Sequence, residues 1–96
     1  MKIMDISLYD KYLPAGTVIL LKNEIRSIMI MGFIVKDNDD IKDYLGVYYP
    51  EGYIGDEYVL KFNHDDILGI INMGLEFDKQ KEYNSFLKNE IEEYKF

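Results

Sequence analysis

The chain has 96 residues and a mass of 11.4 kDa, enough for one domain and too little for a second independent core. Hydrophobic residues make up 48% of the chain and charged residues 30%, a balance that excludes intrinsic disorder. The sequence contains no cysteine, which excludes disulfide bonds, thiolate zinc sites and a cysteine nucleophile.

The net charge of −7 is distributed unevenly along the chain. Residues 1–36 carry a net charge of +2, and residues 37–96 carry −9. An acidic surface repels phosphate backbones and anionic lipids, so we expect neither nucleic acid nor a membrane as the partner. A basic protein surface is the better candidate, although an acidic surface also simply keeps a small protein soluble.

The start of the sequence does not have the pattern of a targeting signal. Asp5 and Asp10 interrupt it before any long apolar run develops, so we expect no signal peptide. No segment reaches the roughly 20 apolar residues that a membrane-spanning helix needs. We therefore expect a cytoplasmic protein.

The first part of the chain predicts a β-hairpin. Residues 1–13 fit either a short helix or an edge strand. Thr17–Lys22 and Arg26–Lys36 are rich in β-branched and aliphatic residues, which predicts two strands joined by a turn at residues 23–25. Gly32 is a candidate bulge in the second strand.

The middle of the chain predicts two further strands with turns between them. Residues 37–40 are polar and predict a loop, and Asp43–Tyr49 predicts a third strand. A long turn containing Pro50 and two glycines follows, through Asp56. Glu57–Phe62 alternates polar and apolar residues, as a half-buried strand does.

The last part predicts a turn, a strand and a helix. Asn63–Asp66 has the residues of a helix N-terminus or a single 3₁₀ turn, and Ile67–Met73 predicts the fifth strand. Phe77–Tyr94 has apolar residues at helical spacing, which predicts an amphipathic helix. Its predicted apolar face consists of Tyr83, Phe86, Leu87, Ile91 and Tyr94.

Together these elements predict an α+β fold with five short antiparallel strands and a C-terminal amphipathic helix. A curled sheet or small barrel with the helix over one opening is the expected architecture, and a helix across an open sheet is the alternative. We expect residues 1–96 to form a single domain, with an N-terminal segment 1–13, a β-rich body 14–74 and a helix 77–95.

His64 is the only histidine, so imidazole chemistry in this protein would have to use it with Asp65 or Asp66. Adjacent turn residues point in different directions, and no serine–histidine pattern supports a catalytic triad. A capping turn at residues 63–66 is the favoured interpretation, and we predict no catalytic residue.

No motif predicts a metal or cofactor. Acidic residues cluster at 37–40 and 90–93, but a calcium loop that begins at Asp37 would have Lys42 and Tyr48 where glycine and glutamate are needed. The two glycines of the 50–56 turn lack the lysine of a phosphate-binding loop.

Five of the nine tyrosines lie within fifteen residues: Tyr44, Tyr48, Tyr49, Tyr53 and Tyr58. Strand alternation should send some of them outward, and exposed tyrosines beside carboxylates are typical of protein-binding surfaces. The alternative is that their rings close the core of a small sheet while the hydroxyls reach solvent.

Three segments together resemble the small bacterial proteins of domain-of-unknown-function family 4176. They are Leu13–Lys22 (LPAGTVILLK), Tyr49–Gly55 (YPEGYIG) and Phe62–Ile67 (FNHDDI), and the similarity extends over 13–86. The sequence departs from that pattern at residues 72–76, where no aromatic residue follows the glycine.

The resemblance implies a setting in Gram-positive bacteria beside the type VII secretion system, where some relatives act as cytoplasmic chaperones or targeting factors for toxins. It leads us to expect a non-enzymatic adaptor or chaperone that binds a secreted toxin. The alternatives are an immunity protein that neutralises the toxin, or a small-molecule-binding or enzymatic domain that uses His64. The expected contact residues are Tyr49, Glu51, Tyr53, Asp56, Glu57 and Tyr58.

Overall fold

The computed structural model describes residues 3–75 and 85–89, in which five antiparallel strands form one sheet. The strands are β1 (Val18–Leu21), β2 (Ile28–Asp37), β3 (Asp40–Tyr48), β4 (Leu60–Phe62) and β5 (Ile67–Asn72). Their order across the sheet is β4-β3-β2-β1-β5. The prediction of five antiparallel strands is confirmed.

A short connection between the two outermost strands makes the sheet curl. Four inter-strand spacings of about 4.8 Å would separate β4 from β5 by about 19 Å in a flat sheet. Residues 63–66 join these strands and include a 3₁₀ turn, which rises only about 2 Å per residue. The connection is therefore too short for a flat sheet. β4 and β5 form no ladder with each other, so the sheet is open and not a closed barrel.

The predicted hairpin of β1 and β2 is confirmed, with Val18 opposite Met29 and Ile19 opposite Ile28. The loop between the strands spans residues 22–27 and is longer than the predicted turn. The bulge predicted at Gly32 is also found: the β2–β3 pairing shifts by one residue between Ile30 and Gly32.

The loop predicted at residues 37–40 is shorter in the structure. Asp37 and Asp40 pair with each other, so only Asn38 and Asp39 remain between β2 and β3. Asn38 has a φ of 58°, a left-handed conformation that asparagine tolerates better than most residues. The tight turn allows the β2–β3 ladder to continue to the strand ends, which lengthens β3 beyond its predicted start.

The strand predicted at Glu57–Phe62 begins three residues later than expected. Asp56–Tyr58 forms a 3₁₀ turn, closed by a hydrogen bond from the Tyr58 N–H to the Gly55 carbonyl oxygen (3.1 Å). Gly55 has a φ of 140°, which lets the chain change direction before β4. The alternating residues 57–62 therefore include part of the 3₁₀ turn as well as β4, which explains why the predicted strand was too long.

The N-terminal arm, residues 3–13, combines features of both predicted alternatives. Ile6–Leu8 forms a 3₁₀ turn, and the Asp5 carboxylate caps it by accepting a hydrogen bond from the Ser7 N–H (3.0 Å). Met4 pairs with Ile70 in an isolated antiparallel bridge along the outer edge of β5. The arm is thus neither a helix nor a strand along its whole length.

The hydrophobic core lies inside the curl and receives side chains from every strand. Residues 85–89 are helical, and Leu87 is only 5% exposed and packs into this core. The remainder of the helix predicted at 77–95 lies outside the described residues. Within the described part of the chain, no helix has the length and apolar character needed to cross a bilayer. The buried core cluster consists of Tyr12, Leu13, Ile19, Leu21, Ile28, Ile30, Tyr44, Phe62, Ile67, Ile70 and Leu87.

Candidate functional site: an aromatic loop surface

Two loops lie side by side at one end of the sheet. Residues 22–27 connect β1 to β2, and residues 49–58 follow β3. Because β2 and β3 are antiparallel, the start of β2 lies beside the end of β3. The Tyr49 N–H donates a hydrogen bond to the Ser27 carbonyl oxygen (3.0 Å), which joins the loops. We call residues 22–27 and 49–58 together the aromatic loop surface.

All six predicted contact residues lie on this surface and are exposed. The side chains of Tyr49, Tyr53 and Tyr58 are 47%, 58% and 48% exposed. The loops also expose two aliphatic side chains that the sequence analysis missed, Ile25 at 98% and Ile54 at 51%. An apolar residue inside a segment with turn chemistry was the available signal, but such residues also pack inward from loops.

The predicted acidic residues differ in how available they are. Glu51 forms an ion pair with Arg26 of the neighbouring loop. Asp56 accepts a hydrogen bond from the Tyr53 hydroxyl, and this bond raises the pKa of Tyr53. Among the described residues, the Glu57 carboxylate takes part in no hydrogen bond or ion pair. Two of the three predicted acids are therefore committed to contacts within the surface.

Backbone hydrogen bonds hold the 49–58 loop in a defined conformation. The Gly52 N–H donates to the Tyr48 carbonyl oxygen (2.7 Å), and the 3₁₀ turn that begins after Gly55 adds further bonds. Gly52 has a φ of 77°, a conformation that side chains with a Cβ rarely adopt. The exposed rings are therefore presented by a preorganised loop.

The other tyrosines of the predicted cluster point elsewhere. Tyr44 is fully buried and stacks on Phe62 with ring centroids 5.5 Å apart. Tyr12 meets the Tyr44 ring edge-on at 5.9 Å. Burial raises the pKa of Tyr44 well above its usual value. Tyr48 is half-buried, so the cluster divides into exposed members on the 49–58 loop and members that pack inward.

His64 takes part in a hydrogen-bond network that joins the 63–66 turn to the N-terminal arm and to β3. Its Nε2 lies 3.2 Å from the Tyr9 carbonyl oxygen, which can only accept, so Nε2 carries the proton. Nδ1 then accepts a hydrogen bond from the Tyr44 hydroxyl (2.8 Å). The same hydroxyl accepts from the Leu13 N–H (3.0 Å). Both ring nitrogens therefore have partners inside the protein.

The capping-turn interpretation of residues 63–66 is confirmed. His64–Asp66 is a 3₁₀ turn, and the Asn63 N–H donates to the Asp66 carboxylate (2.9 Å). The buried Asp43 carboxylate joins this turn to the N-terminal arm: it accepts from the His64 N–H (2.9 Å) and pairs with the Lys11 ammonium (3.1 Å).

An open cleft of about 640 Å³ lies beside His64, between the N-terminal arm and Lys88. Its walls combine the apolar side chains of Ile6 and Ile67 with polar and charged ones, among them Asp10, Lys11 and Asp65. In the described ranges 3–75 and 85–89, no group of three or more histidine, aspartate or glutamate residues is placed to hold a metal ion.

The fold and this surface define a class: a small antiparallel-sheet domain that presents aromatic and aliphatic side chains on two braced loops. The family model described as "Domain of unknown function (DUF4176)" matches residues 12–83, and the chain belongs to that family. No curated protein and no solved structure gives a significant match.

Proposed function

We propose that this chain is a non-enzymatic cytoplasmic adaptor or chaperone that binds a toxin substrate of a type VII secretion system. The observation that carries the proposal is the aromatic loop surface, on which five large apolar side chains are exposed together on connected loops. The secretion setting comes from the family resemblance alone. The five side chains are Ile25, Tyr49, Tyr53, Ile54 and Tyr58.

Physical reasons favour a protein as the ligand. Tyrosine gives a large contact area at a small entropic cost, because few of its torsions must be fixed on binding. The bonds within the 49–58 loop already restrict its backbone, which lowers the ordering cost further. The exposed side chains belong to two loops, whereas small-molecule sites are usually enclosed clefts.

The involvement of both His64 ring nitrogens in internal hydrogen bonds supports a non-enzymatic role. A general base must be able to reach a substrate proton, and here the Tyr44 hydroxyl occupies the acceptor nitrogen. The enzymatic alternative would require this network to open before His64 could react.

Co-expression with the type VII toxin encoded nearest to its gene tests the proposal. We expect the chain and the toxin to co-purify, and we expect the double variant Tyr53→Ser/Tyr58→Ser to lose the complex. Leu8→Ser is the matched control, because Leu8 is 75% exposed but belongs to the N-terminal arm and not to either loop. A wild-type chain that elutes alone from the toxin contradicts the proposal.

An activity assay of the toxin separates the adaptor from the immunity protein. An adaptor leaves the catalytic activity of the purified toxin intact, since it covers a surface needed for export. An immunity protein abolishes that activity at stoichiometric concentration and protects cells that express the toxin. Inhibition would therefore replace the proposed role with the alternative one, while leaving the binding surface in place.

A further inference from the structure

Ile25 is the most exposed large hydrophobic side chain among the described residues, at 98%. It lies in the 22–27 loop between two charged residues, Glu24 and Arg26. An exposed hydrophobic residue on its own needs no explanation. Ile25 differs from a scattered surface residue because both of its neighbours, Glu24 and Arg26, make contacts with another segment of the chain.

Both charged neighbours are engaged with the 48–51 segment. The Tyr48 hydroxyl donates to the Glu24 carboxylate (3.4 Å). Arg26 pairs with Glu51, and its guanidinium lies 5.3 Å from the centre of the Tyr48 ring. These contacts, with the Tyr49–Ser27 backbone bond, brace the loop on both sides of Ile25.

The bracing also fixes the electrostatic character of the surface around Ile25. The Glu51 carboxylate is matched by the Arg26 guanidinium, and the Glu24 carboxylate is held by a hydroxyl. A basic partner segment would have to compete with Arg26 for the Glu51 carboxylate. A partner surface that is apolar and uncharged can meet Ile25 without breaking any of these contacts.

We propose that Ile25 is the anchor of the interface and inserts into an uncharged apolar pocket on the toxin. The inference rests on the proposed function and specifies the chemistry of its partner. The contacts of Glu24, Arg26 and Ser27 restrain the loop, so that less backbone freedom is lost when Ile25 is buried. Tyr49 and the other exposed rings of the aromatic loop surface would surround it and exclude water.

Calorimetric titration of the purified toxin with three variants tests the anchor. Ile25→Ser removes the apolar side chain, and we expect the Kd to rise about 10- to 100-fold, the loss expected for one buried aliphatic side chain. Ile25→Leu keeps the apolar volume and should stay within about 3-fold of wild type. Leu8→Ser, the exposed control on the arm, should do the same.

Folding does not confound this experiment, because a side chain that is 98% exposed contributes little to the core. Urea denaturation of Ile25→Ser should match wild type. If Ile25→Ser binds the toxin like wild type while Tyr53→Ser/Tyr58→Ser does not bind, the assignment of Ile25 as the anchor is wrong and the proposed function stands. If the wild-type chain fails to bind the toxin, the proposed function itself fails.

A second copy of the chain is the other possible occupant, and gel filtration distinguishes it. If wild type is a dimer that Ile25→Ser converts to a monomer, Ile25 serves self-association, and the proposal is overturned. A wild-type chain that remains monomeric without the toxin, combined with the loss of affinity in Ile25→Ser, supports it.

Discussion

At the scale of single residues, Tyr44 joins parts of the molecule that are far apart in the sequence. Its hydroxyl accepts from the Leu13 N–H of the N-terminal arm and donates to His64 of the 63–66 turn. Its ring packs against Phe62 of β4. Buried polar groups must be paired to avoid a desolvation penalty, so this hydroxyl and its two partners depend on one another.

We predict that Tyr44→Phe lowers the free energy of unfolding by about 1–3 kcal/mol, because it leaves the Leu13 N–H and the His64 Nδ1 without their partner. Urea denaturation measures the loss. Tyr53→Phe is the matched control: Tyr53 is exposed, and within the described part of the chain its hydroxyl bonds Asp56 alone, so a change below about 0.5 kcal/mol is expected. If the two variants lose the same free energy of unfolding, the buried network does not stabilise the fold as predicted.

The raised pKa of Tyr44 predicts a loss of stability in alkali. Burial is its main cause, and it favours the protonated ring in the folded state. The folded state therefore binds more protons than the unfolded state above the ordinary tyrosine pKa of 10.0. This contribution is complete below that pH and is lost as pH rises through the folded pKa.

Urea denaturation at increasing pH should show the free energy of unfolding falling above the ordinary tyrosine pKa. The ultraviolet absorbance of tyrosinate provides a second measurement, because wild type should contain a late-titrating component that Tyr44→Phe lacks. A Tyr44 that ionises together with the exposed tyrosines would contradict the prediction.

At the scale of secondary structure, Gly46 shows why β3 needs a residue without a side chain near its centre. A Cβ at this position would lie 2.6 Å from the Ile28 Cγ2 and 2.9 Å from a Phe62 ring carbon. Both distances are shorter than van der Waals contact, and both neighbours belong to the tightly packed core. The glycine lets β3 lie close against the side chains of β2 and β4.

We predict that Gly46→Ala destabilises the protein by about 1–3 kcal/mol, because the added methyl group overpacks the core. Gly32→Ala is the control in the neighbouring strand, where the nearest atom to a new Cβ is 3.4 Å away on Leu45. Thermal denaturation of both variants compares them. A Gly32→Ala variant that is the less stable of the two would refute the packing argument.

At the scale of the whole molecule, the connection at 63–66 and the N-terminal arm hold the curled sheet together. The connection forces β4 and β5 towards each other, and the arm contacts the turn through His64 and the edge of β5 through Met4. The net charge of −7 acts at long range and is independent of these contacts. Association with a partner can therefore respond to charge even where the contact surface is apolar.

We predict that salt affects the rate of toxin binding more than the lifetime of the complex. Raising ionic strength from about 50 mM to about 500 mM should change the association rate constant several-fold, because it screens the long-range field. The dissociation rate constant should change by less than about 2-fold, because the proposed contact at Ile25 is apolar and the Arg26–Glu51 ion pair beside it lies within this chain. Surface plasmon resonance separates the two constants; a salt-sensitive dissociation rate would instead indicate ion pairs across the interface.

The sequence by itself determined the positions of β1, β2 and β5 and the capping turn, because continuous apolar runs bounded by turn residues are local signals. It also selected Tyr49, Tyr53 and Tyr58 as expected contact residues and left out Tyr44, and the structure shows the first three exposed and Tyr44 buried. Only the tertiary structure decided that Tyr44 and His64 share a buried network, that Arg26 engages Glu51, and that Ile25 is left in solvent. These features depend on which distant segments meet, and the local pattern of residues contains no information about that.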